Sequence, residues 1–460
     1  MLPLRRIKSS KKNCMKKLVV FSLALLALCG CNGKESHPTV AVPHQELPPP
    51  TVNVYIENSG SMDGYVRGMT DMEKAVYGYL SDMKLADAVD TLNLFYINSK
   101  IIRYASNADL DGISNFIEKL NPASFVLRGG YRGVSDISDV IKAVLAKTEP
   151  NHVSILVTDG IFSPERGKNA DDYLEKQEIG LKNSFKDYLK YVNDNAAIVV
   201  YQLNSGFKGK YFYFVKNKNA DNIANIEEDA EDDVNIKAKA KKKKRKSKPK
   251  RENLGREAVM NYVGDRPFYI WLIGDADYLT GIRTKVPEHT VKGSGVLNML
   301  SLIPGDRKVS YAIQDGSGRF EWGNETTIRN WKKNNKGRNL DVSQFSINVD
   351  FSYLLLDDDY LTDAGNYLLS DDDFHLTVSK AAIGGYSHVL TVSSAHVKKG
   401  PVSIKLKMAV PEWVEEMTED EGSNPAAGKT YGFKYQIQGA YEGFTFGEKD
   451  FYTEIKINII

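Results

Sequence analysis

Short apolar runs alternate with amphipathic stretches of helical length through the first half of the chain. Uninterrupted apolar runs predict buried strands, and apolar residues every three to four positions predict helices. The runs predict strands at Val52–Ile56, Leu92–Ile97, Val153–Val157, Ala196–Leu203 and Phe268–Ile273. The helical spacing predicts helices at Met72–Met83, Leu110–Leu120, Ser135–Leu145, around Leu181–Val192 and at Glu257–Val263. Repeated strand–helix units are typical of an α/β fold with a mostly parallel central sheet flanked by helices.

The pattern changes beyond residue 295. Apolar and polar residues alternate one by one through Phe345–Phe351 and again through Val402–Val410. Similar short runs occur near Lys308–Gln314, Phe374–Val378, Tyr431–Ile437 and Tyr452–Ile459. Alternation with one polar face indicates antiparallel strands, so residues 295–460 are expected to form a β-rich domain, a β-sandwich.

The N-terminus carries a targeting pattern. Lys16 and Lys17 precede an apolar run, Leu18–Leu28, which is too short to cross the ~30 Å hydrocarbon core and suits a secretory signal peptide. The small residues directly before Cys31 resemble the lipobox of bacterial lipoproteins. This resemblance implies a signal peptide over 1–30, with Met15 the better start, and lipid (palmitate) on Cys31 as the membrane anchor.

Processing at that point decides the cysteine chemistry. Only Cys14, Cys29 and Cys31 are present, so the mature chain keeps the lipidated cysteine alone and has no disulfide or thiol catalysis. Residues 31–50 are rich in proline and predict an extended tether. Asn32 stands where aspartate often marks retention in the inner membrane, which favours the outer membrane of the cell envelope.

Charge is distributed unevenly. The chain carries +2 overall, but seven basic residues lie before Cys31, which leaves −5 for the remainder. Within that remainder, Lys237–Arg251 contributes +11 and follows an acidic block, Glu227–Asp233. Residues 220–252 therefore predict a disordered, charged insert. Two interpretations stay open: a loop that compensates its own charge, or a contact with anionic lipid; nucleic acid is not expected outside the cytosol.

Three polar segments carry the candidate chemistry. Glu57–Ser61 follows the first strand, Gly133–Ile137 opens a helix, and Thr158–Gly160 follows the buried strand ending at Val157. The carboxyl ends of strands are where ligands bind in open α/β sheets. Carboxylates and hydroxyls make an all-oxygen site that suits a hard cation, Mg²⁺ or alternatively Mn²⁺ or Ca²⁺.

These segments resemble the von Willebrand factor A-type (vWA) domain, whose motifs are Asp-x-Ser-x-Ser, a loop threonine and Thr-Asp-Gly. Ser59 and Ser61 match the serines, Ser135 takes the threonine position and Asp159 matches the last aspartate. The resemblance covers residues 51–290 and implies a Rossmann-like fold with a metal-ion-dependent adhesion site (MIDAS) that binds protein ligands. Glu57 departs from the family, because its extra methylene displaces the carboxylate where the family has aspartate.

Other candidates are weaker. Asp357–Asp359 and Asp371–Asp373 are interpreted as solvated turns rather than Ca²⁺ sites, and His152 and His375 as ordinary strand-end residues. The motifs of metalloproteases, P-loop enzymes and serine hydrolases do not occur.

The sequence thus predicts a non-enzymatic, lipid-anchored binding protein that recognises a protein partner through the metal site of Glu57, Ser59, Ser61, Ser135 and Asp159. One alternative is a structural or assembly component of an envelope complex that uses the same fold without metal. A metal-assisted hydrolase is a further, disfavoured alternative, since no general base can be identified.

Overall fold

The computed structural model describes residues 39–43, 47–133, 136–163, 169–215, 256–314, 319–324, 326–332, 343–396, 398–420, 428–447 and 450–460. The signal peptide with Cys31, Ser135, the insert at 220–252 and its basic run lie outside these residues. Among the residues that are described, no helix is long and apolar enough to cross a membrane.

Strands and helices are numbered along the chain. The strands are β1 (Thr39–Val40), β2 (Thr51–Glu57), β3 (Leu92–Ile97), β4 (Ile101–Ala105), β5 (His152–Thr158), β6 (Ala196–Val215), β7 (Arg256–Asp275), β8 (Asn298–Leu302), β9 (Ser310–Gln314), β10 (Arg319–Asn324), β11 (Thr327–Lys332), β12 (Ser343–Asp350), β13 (Tyr367–Leu369), β14 (Phe374–Ile383), β15 (Tyr386–Ser394), β16 (Gly400–Lys407), β17 (Thr418–Glu419), β18 (Thr430–Tyr431) and β19 (Phe451–Ile459). The helices are α1 (Asp71–Leu85), α2 (Leu110–Glu118), α3 (Pro122–Leu127), α4 (Ile137–Leu145), α5 (Ala170–Tyr191), α6 (Ala276–Lys285), α7 (Asp358–Thr362), α8 (Glu412–Glu416) and α9 (Phe433–Thr445).

The first half of the chain is a mixed α/β structure around a seven-stranded sheet of order β4-β3-β2-β5-β7-β6-β8. Strand β2 runs parallel to β3 and β5, and each of the other neighbouring pairs is antiparallel. The expectation of a mostly parallel sheet is therefore wrong. The strands β2, β3 and β5 are nevertheless parallel, and these are the strands that carry two of the three predicted site segments.

The antiparallel pairing arises because β6 and β7 form one long hairpin. Their register runs from Ala196 opposite Asp275 to Val215 opposite Arg256. The helix predicted at Glu257–Val263 is wrong, since those residues belong to β7. A crossover helix is needed to bring a following strand back in parallel. Strand β7 pairs antiparallel with both β6 and β5 and lies between them.

The predicted helices over Met72–Met83 and Leu110–Leu120 are present as α1 and α2. Helix α1 begins with a capping box in which Thr70 accepts from the backbone N–H of Glu73 and the Glu73 carboxylate accepts from that of Thr70. This reciprocal pair satisfies amide groups that the first turn leaves without partners. The apolar face of α1, including Met72, Val76 and Leu80, is then buried in the core.

The second half of the chain is rich in strands, as expected. One five-stranded sheet has the order β1-β9-β12-β15-β14, and another has the order β10-β11-β19-β16-β13. The two sheets meet through Trp331 of β11, whose ring lies 5.4 Å from that of Phe345 and 6.2 Å from that of Phe374. The apolar residues of the alternating segments are buried, which explains the period of two.

The strand predicted at Tyr431–Ile437 is wrong beyond Tyr431. Gly432 has φ 73°, a left-handed conformation that breaks the extended backbone, and helix α9 begins at the next residue. Phe433, Ile437, Ala440 and Phe444 then recur at helical spacing and are buried. Their period becomes visible only over a window longer than the predicted strand.

The two halves are closely joined. Strand β8 extends the first sheet by pairing with β6, and α9 packs on α5 with a Lys182–Glu442 ion pair of 2.8 Å. Part of the predicted tether is also ordered, because β1 pairs with β9 and the Val42 amide donates to the Ser310 hydroxyl at 2.9 Å. Helix α9 consequently reaches the edge of the first sheet where the candidate site lies.

Candidate functional site

Two predicted site segments leave the sheet at the same edge. Strands β2 and β5 are parallel neighbours with Ile56 opposite Val157, so Glu57 and Thr158 end them side by side. The Asn58–Ser61 loop and Asp159 follow at once. We call the group formed by Glu57, Ser59, Ser61 and Asp159, together with the two arginines described below, Arg132 and Arg266, the strand-end site.

The two serines lie together. The hydroxyl oxygens of Ser59 and Ser61 are 2.9 Å apart and share a hydrogen bond. Ser61 begins a short 3-10 turn that ends at Gly64 and turns the chain back toward α1. Two adjacent hydroxyl oxygens can serve as hard-cation ligands. Ser135, the third predicted hydroxyl, lies outside the described residues.

Arg132 fixes the serine loop. Its Nε donates to the carbonyl of Asn58 at 2.7 Å, and its Nη2 donates to that of Ser59 at 3.0 Å. The same Nη2 forms a short ion pair with Asp63, and the Gly60 amide donates to the Arg132 carbonyl at 3.0 Å. Arg132, the residue before the predicted segment Gly133–Ile137, is thereby attached to the serine loop.

Glu57 faces the interior. Its side chain is 3% exposed, and its carboxylate accepts a short hydrogen bond from the Thr158 hydroxyl. That hydroxyl in turn accepts from the Gly160 amide at 2.9 Å. Glu57 therefore orders the backbone around Asp159 through Thr158. The shorter aspartate side chain of the vWA motif would not bring its carboxylate as close to the Thr158 hydroxyl.

Asp159 is the central carboxylate of the site and is 1% exposed. Its Oδ1 accepts from the Ile161 amide at a long 3.5 Å, and its Oδ2 has no hydrogen-bond partner among the described residues. Burial raises the pKa of Asp159, while the charge of Arg266 and a hydrogen bond from Ser61 act in the opposite direction. The net shift is upward. A buried carboxylate oxygen with no donor is an open ligand position.

Arg266 lies at the same edge. Thr158 is opposite Tyr269 in the β5–β7 pairing, so β7 passes Asp159 and carries Arg266 beyond the end of β5. Arg266 is 1% exposed, and its guanidinium lies 4.0 Å from the ring centre of Tyr211. Its Nε donates to the Tyr65 hydroxyl at 3.3 Å, whereas Nη1 and Nη2 have no hydrogen-bond partner in the described parts of the chain.

The second half of the chain covers one side of the site. The Thr430 hydroxyl donates to the Asp159 carbonyl at 3.5 Å, and the Gln436 amide donates a short hydrogen bond to the Gly160 carbonyl. The ring of Phe433 stacks on that of Tyr269 with centres 4.1 Å apart. The backbone of the Asp159 loop is thus held from the β7 side and from α9, while Ser59 and Ser61 face a small cleft.

That cleft has a volume of about 20 Å³ and is lined by Ser59, Gly60, Ser61, Arg132, Gly133, Ile161, Ser163 and Phe212. It can hold about one water-sized species. The two serine hydroxyls line this cleft, whereas Asp159 is not among its lining residues. Within the described ranges, no group of three or more His, Cys, Asp or Glu side chains is placed to hold a metal ion.

The weaker candidates lie elsewhere. Asp357 accepts from the Tyr360 amide at 2.6 Å as the N-cap of α7, and Asp371 accepts from Lys398 at 2.8 Å. His152 lies 4.0 Å from Glu149 at the start of β5, and His375 is in β14 at the β-rich end of the molecule. None of these four residues joins the strand-end site.

Comparison with protein-family models, with curated proteins and with solved structures finds no match for this chain. The function must therefore be argued from the site. The sequence analysis did not predict two residues of the strand-end site, Arg132 and Arg266. The only sequence signal for Arg266 is its place beside Asp265, in a short polar stretch between the mostly apolar residues 258–263 and the buried run that begins at Phe268. Because Glu257–Val263 was predicted to be a helix, Arg266 was not placed on the sheet.

Proposed function

We propose that this chain is a lipid-anchored binding protein of the cell envelope that holds a protein partner through a cation site of Ser59, Ser61 and Asp159. The observation that carries the proposal is the Oδ2 atom of Asp159, which is buried without a hydrogen-bond partner among the described residues, at the same sheet edge as the hydroxyl pair of Ser59 and Ser61. Such an atom costs free energy unless a cation or water satisfies it.

Each residue has a definite part in this proposal. Asp159 supplies the negative charge, Ser59 and Ser61 supply neutral oxygens, and Arg132 keeps the serine loop in place. A bound divalent cation would supply a coordination position for an oxygen of the partner. The likeness of the three segments to the vWA motifs supports the same assignment, including the Rossmann-like domain and its β-sandwich companion.

Thermal melting with and without Mg²⁺ or Mn²⁺ tests the cation site. At a hundredfold excess over Kd, a bound cation adds about 2.7 kcal/mol to the free energy of unfolding. We expect the wild type to gain stability and the Asp159→Asn and Ser61→Ala variants to lose that gain. Asp371→Asn is the matched control, because it removes a carboxylate charge far from the site and should leave the gain unchanged.

Glu57→Asp tests the departure from the vWA motif. If the longer side chain only weakens cation binding, the shorter one should tighten the binding of Mg²⁺. A gain that appears in Glu57→Asp and is absent from the wild type would show that the natural site does not use metal, and the cation proposal would fail.

A second function is supported by Arg266 and by the cover from α9. The charge of the buried Arg266 guanidinium acts to lower the pKa of Asp159, and Thr430 and Gln436 hold the loop. These contacts favour a structural component that uses the fold for packing within an envelope complex. The absence of any Mg²⁺- or Mn²⁺-dependent shift in the wild type would decide for this alternative.

The anchor can be tested separately. Replacing Cys31 by alanine should release the protein from membranes, because the lipid on Cys31 is the anchor that the sequence predicts. Membrane fractions washed with high salt should then contain wild type and no Cys31→Ala variant. Retention of the variant after the wash would refute the lipid anchor and leave the cation site untouched.

A further inference from the structure

Strands β6 and β7 continue beyond the sheet to which they belong. Strand β8 pairs with β6 only as far as Gln202, and β5 pairs with β7 only as far as Tyr269. In the described chain, residues 204–215 of β6 and 256–267 of β7 pair with each other and with no third strand. We call this two-stranded extension the ribbon. A two-stranded hairpin has little stability of its own, so its position depends on what its faces contact.

One face of the ribbon packs on the 3-10 turn that begins at Ser61. The ring of Phe207 meets that of Tyr65 edge to face, with centres 4.9 Å apart. A Cβ at Gly209 would lie 2.9 Å from the Cα of Gly64, so the backbones of the ribbon and the turn are in close contact. This face is covered, and it fixes the ribbon beside the serine loop.

The opposite face is exposed and carries valine beside lysine. Directly opposed residues of an antiparallel pair point to the same face, as does every second residue along a strand. Lys208 is opposite Val263, and Phe212 is opposite Val259. Val263 and Val259 are 73% and 52% exposed. Lys208 and Lys210 are exposed as well. We call Lys208, Lys210, Val259 and Val263 the ribbon face.

The ribbon is also the positively charged part of the molecule. Residues 204–267, which include the connection between the two strands, contain 17 basic and 10 acidic residues, a net charge of +7. The mature chain carries −5, so all its other residues together carry −12. The basic run Lys237–Arg251 ends five residues before Arg256, where β7 begins, so the chain keeps Arg251 within about 18 Å of the ribbon. An anionic surface would attract the ribbon and repel the rest of the protein.

Exposed lysines beside apolar side chains are the chemistry that binds anionic bilayers. The ammonium groups stay with the headgroup phosphates while the apolar side chains enter the interface. We propose that the ribbon face is a membrane-contact surface that binds anionic phospholipid. The inference rests on the proposed function only for its lipid anchor, which keeps a bilayer within reach, and lipid anchors are commonly reinforced by basic patches.

Such a contact would orient the protein. Phe212 belongs to the exposed face through its pairing with Val259, and it also lines the small cleft that contains Ser59 and Ser61. A bilayer bound at the ribbon face therefore lies beside this cleft. The partner of the strand-end site is then expected at the membrane surface.

The test is co-sedimentation of the mature chain with vesicles, using residues 31–460 with Cys31→Ala so that the chain carries no lipid. The vesicles contain either phosphatidylcholine alone or equal parts of phosphatidylcholine and phosphatidylglycerol. At low ionic strength we expect the mixed vesicles to bind at least about tenfold more tightly, and high salt to abolish the difference. Equal binding to both vesicles, or binding to neither, would overturn the proposal.

Two double variants assign the binding to the ribbon face. Lys208→Gln with Lys210→Gln should weaken binding to the mixed vesicles about tenfold or more, because each lysine near an anionic bilayer contributes roughly a fivefold factor. Val259→Thr with Val263→Thr keeps the branched shape of both side chains but adds hydroxyl groups, and should weaken binding about threefold or more. Circular dichroism and thermal melting check that both variants fold.

Lys176→Gln with Ile179→Thr is the matched control, since both residues are exposed on α5. It should bind the mixed vesicles as the unsubstituted chain does. Heparin separates a bilayer from charge alone: the lysine variant should bind it more weakly and the valine variant equally well. Vesicle binding that neither ribbon variant changes would belong to the connection 216–255 and overturn the ribbon face. Each of these outcomes leaves the lipid anchor and the cation site to their own tests.

Discussion

Two regions of the molecule contain carboxylates of interest, and the partners of these carboxylates differ between the two regions. In the acidic turns of the second half, Asp357–Asp359 and Asp371–Asp373, the carboxylates are committed to local partners. Asp357 caps α7, Asp358 lies 3.6 Å from His388, and Lys398 binds Asp371 at 2.8 and 2.9 Å. The strand-end site has fewer carboxylates, yet one of them keeps a buried oxygen without a partner in the described chain.

The difference shows that a high density of acidic residues in a sequence does not indicate where a carboxylate is buried without a partner. Exposed carboxylates find lysines and backbone amides, which satisfy them at little cost. A buried carboxylate without enough donors retains a capacity to bind. The comparison therefore predicts that perturbing the strand-end site affects stability and binding, whereas perturbing the acidic turns affects neither strongly.

The largest effect is expected from Asp159→Ala. This variant removes a buried carboxylate that accepts from the Ile161 amide and on which the charge of Arg266 acts, which should lower the free energy of unfolding by about 3 kcal/mol in metal-free buffer. Denaturant unfolding measures the change. Asp371→Ala removes an exposed carboxylate as the control and should have no measurable effect. If the two variants unfold alike, Arg266 does not depend on Asp159.

The next largest effect is expected from Gly64→Ala, at the end of the 3-10 turn after Ser61. A Cβ there would lie 2.1 Å from the ring of Phe207, which is itself buried against Tyr65. Relieving this overlap should cost about 2 kcal/mol of unfolding free energy. Gly365→Ala, near the acidic turns, approaches only the Asp363 carboxylate at 3.1 Å and should cost clearly less by thermal melting.

A smaller effect should appear when the pH is lowered. Burial lowers the pKa of His388, although Asp358 opposes the shift. The fold therefore favours the neutral imidazole, and its stability is complete above the ordinary pKa of about 6.5 and declines as the pH falls toward the lowered value. Unfolding free energies at about pH 7.5 and pH 5.5 should differ less in His388→Asn than in wild type. An identical difference would refute this assignment.

The smallest effect on stability is expected from deleting the charged insert at 220–252. The strands on either side are paired to Val215 and Arg256, so a shorter connection preserves their register. Loop entropy depends only weakly on length. Deletion should leave the melting temperature nearly unchanged, and limited proteolysis of wild type should cut first within these residues. A large drop in melting temperature would contradict both expectations.

Sequence reasoning predicted the part of the site that depends on local order. Apolar runs placed the ends of β2 and β5, and these ends brought Ser59, Ser61 and Asp159 to one edge. It did not predict Arg266, because its position depends on the long β6–β7 hairpin and on pairing with β5 across more than a hundred residues. The short, mostly apolar stretch 258–263 can be interpreted as helix or strand, and only its pairing with β6 decides between them.

The same limit applies to α9. Gln436 of α9 contacts Gly160 and Thr430 of β18 contacts Asp159, both from far along the chain, and neither residue belongs to a recognisable motif. Sequence reasoning also could not predict that positively charged arginines lie among the carboxylates of the site. Asp63 is paired with Arg132, and the charge of Arg266 acts on Asp159, and the sequence analysis predicted neither arginine.

The position of α9 has a consequence for biosynthesis. The loop of Asp159 is made early, but the Thr430 and Gln436 contacts that hold it become available only when nearly the whole chain has emerged. The edge of the first sheet at β6 likewise stays uncovered until β8 has been made. The loop of Asp159 would therefore reach its final set of contacts only at the end of synthesis.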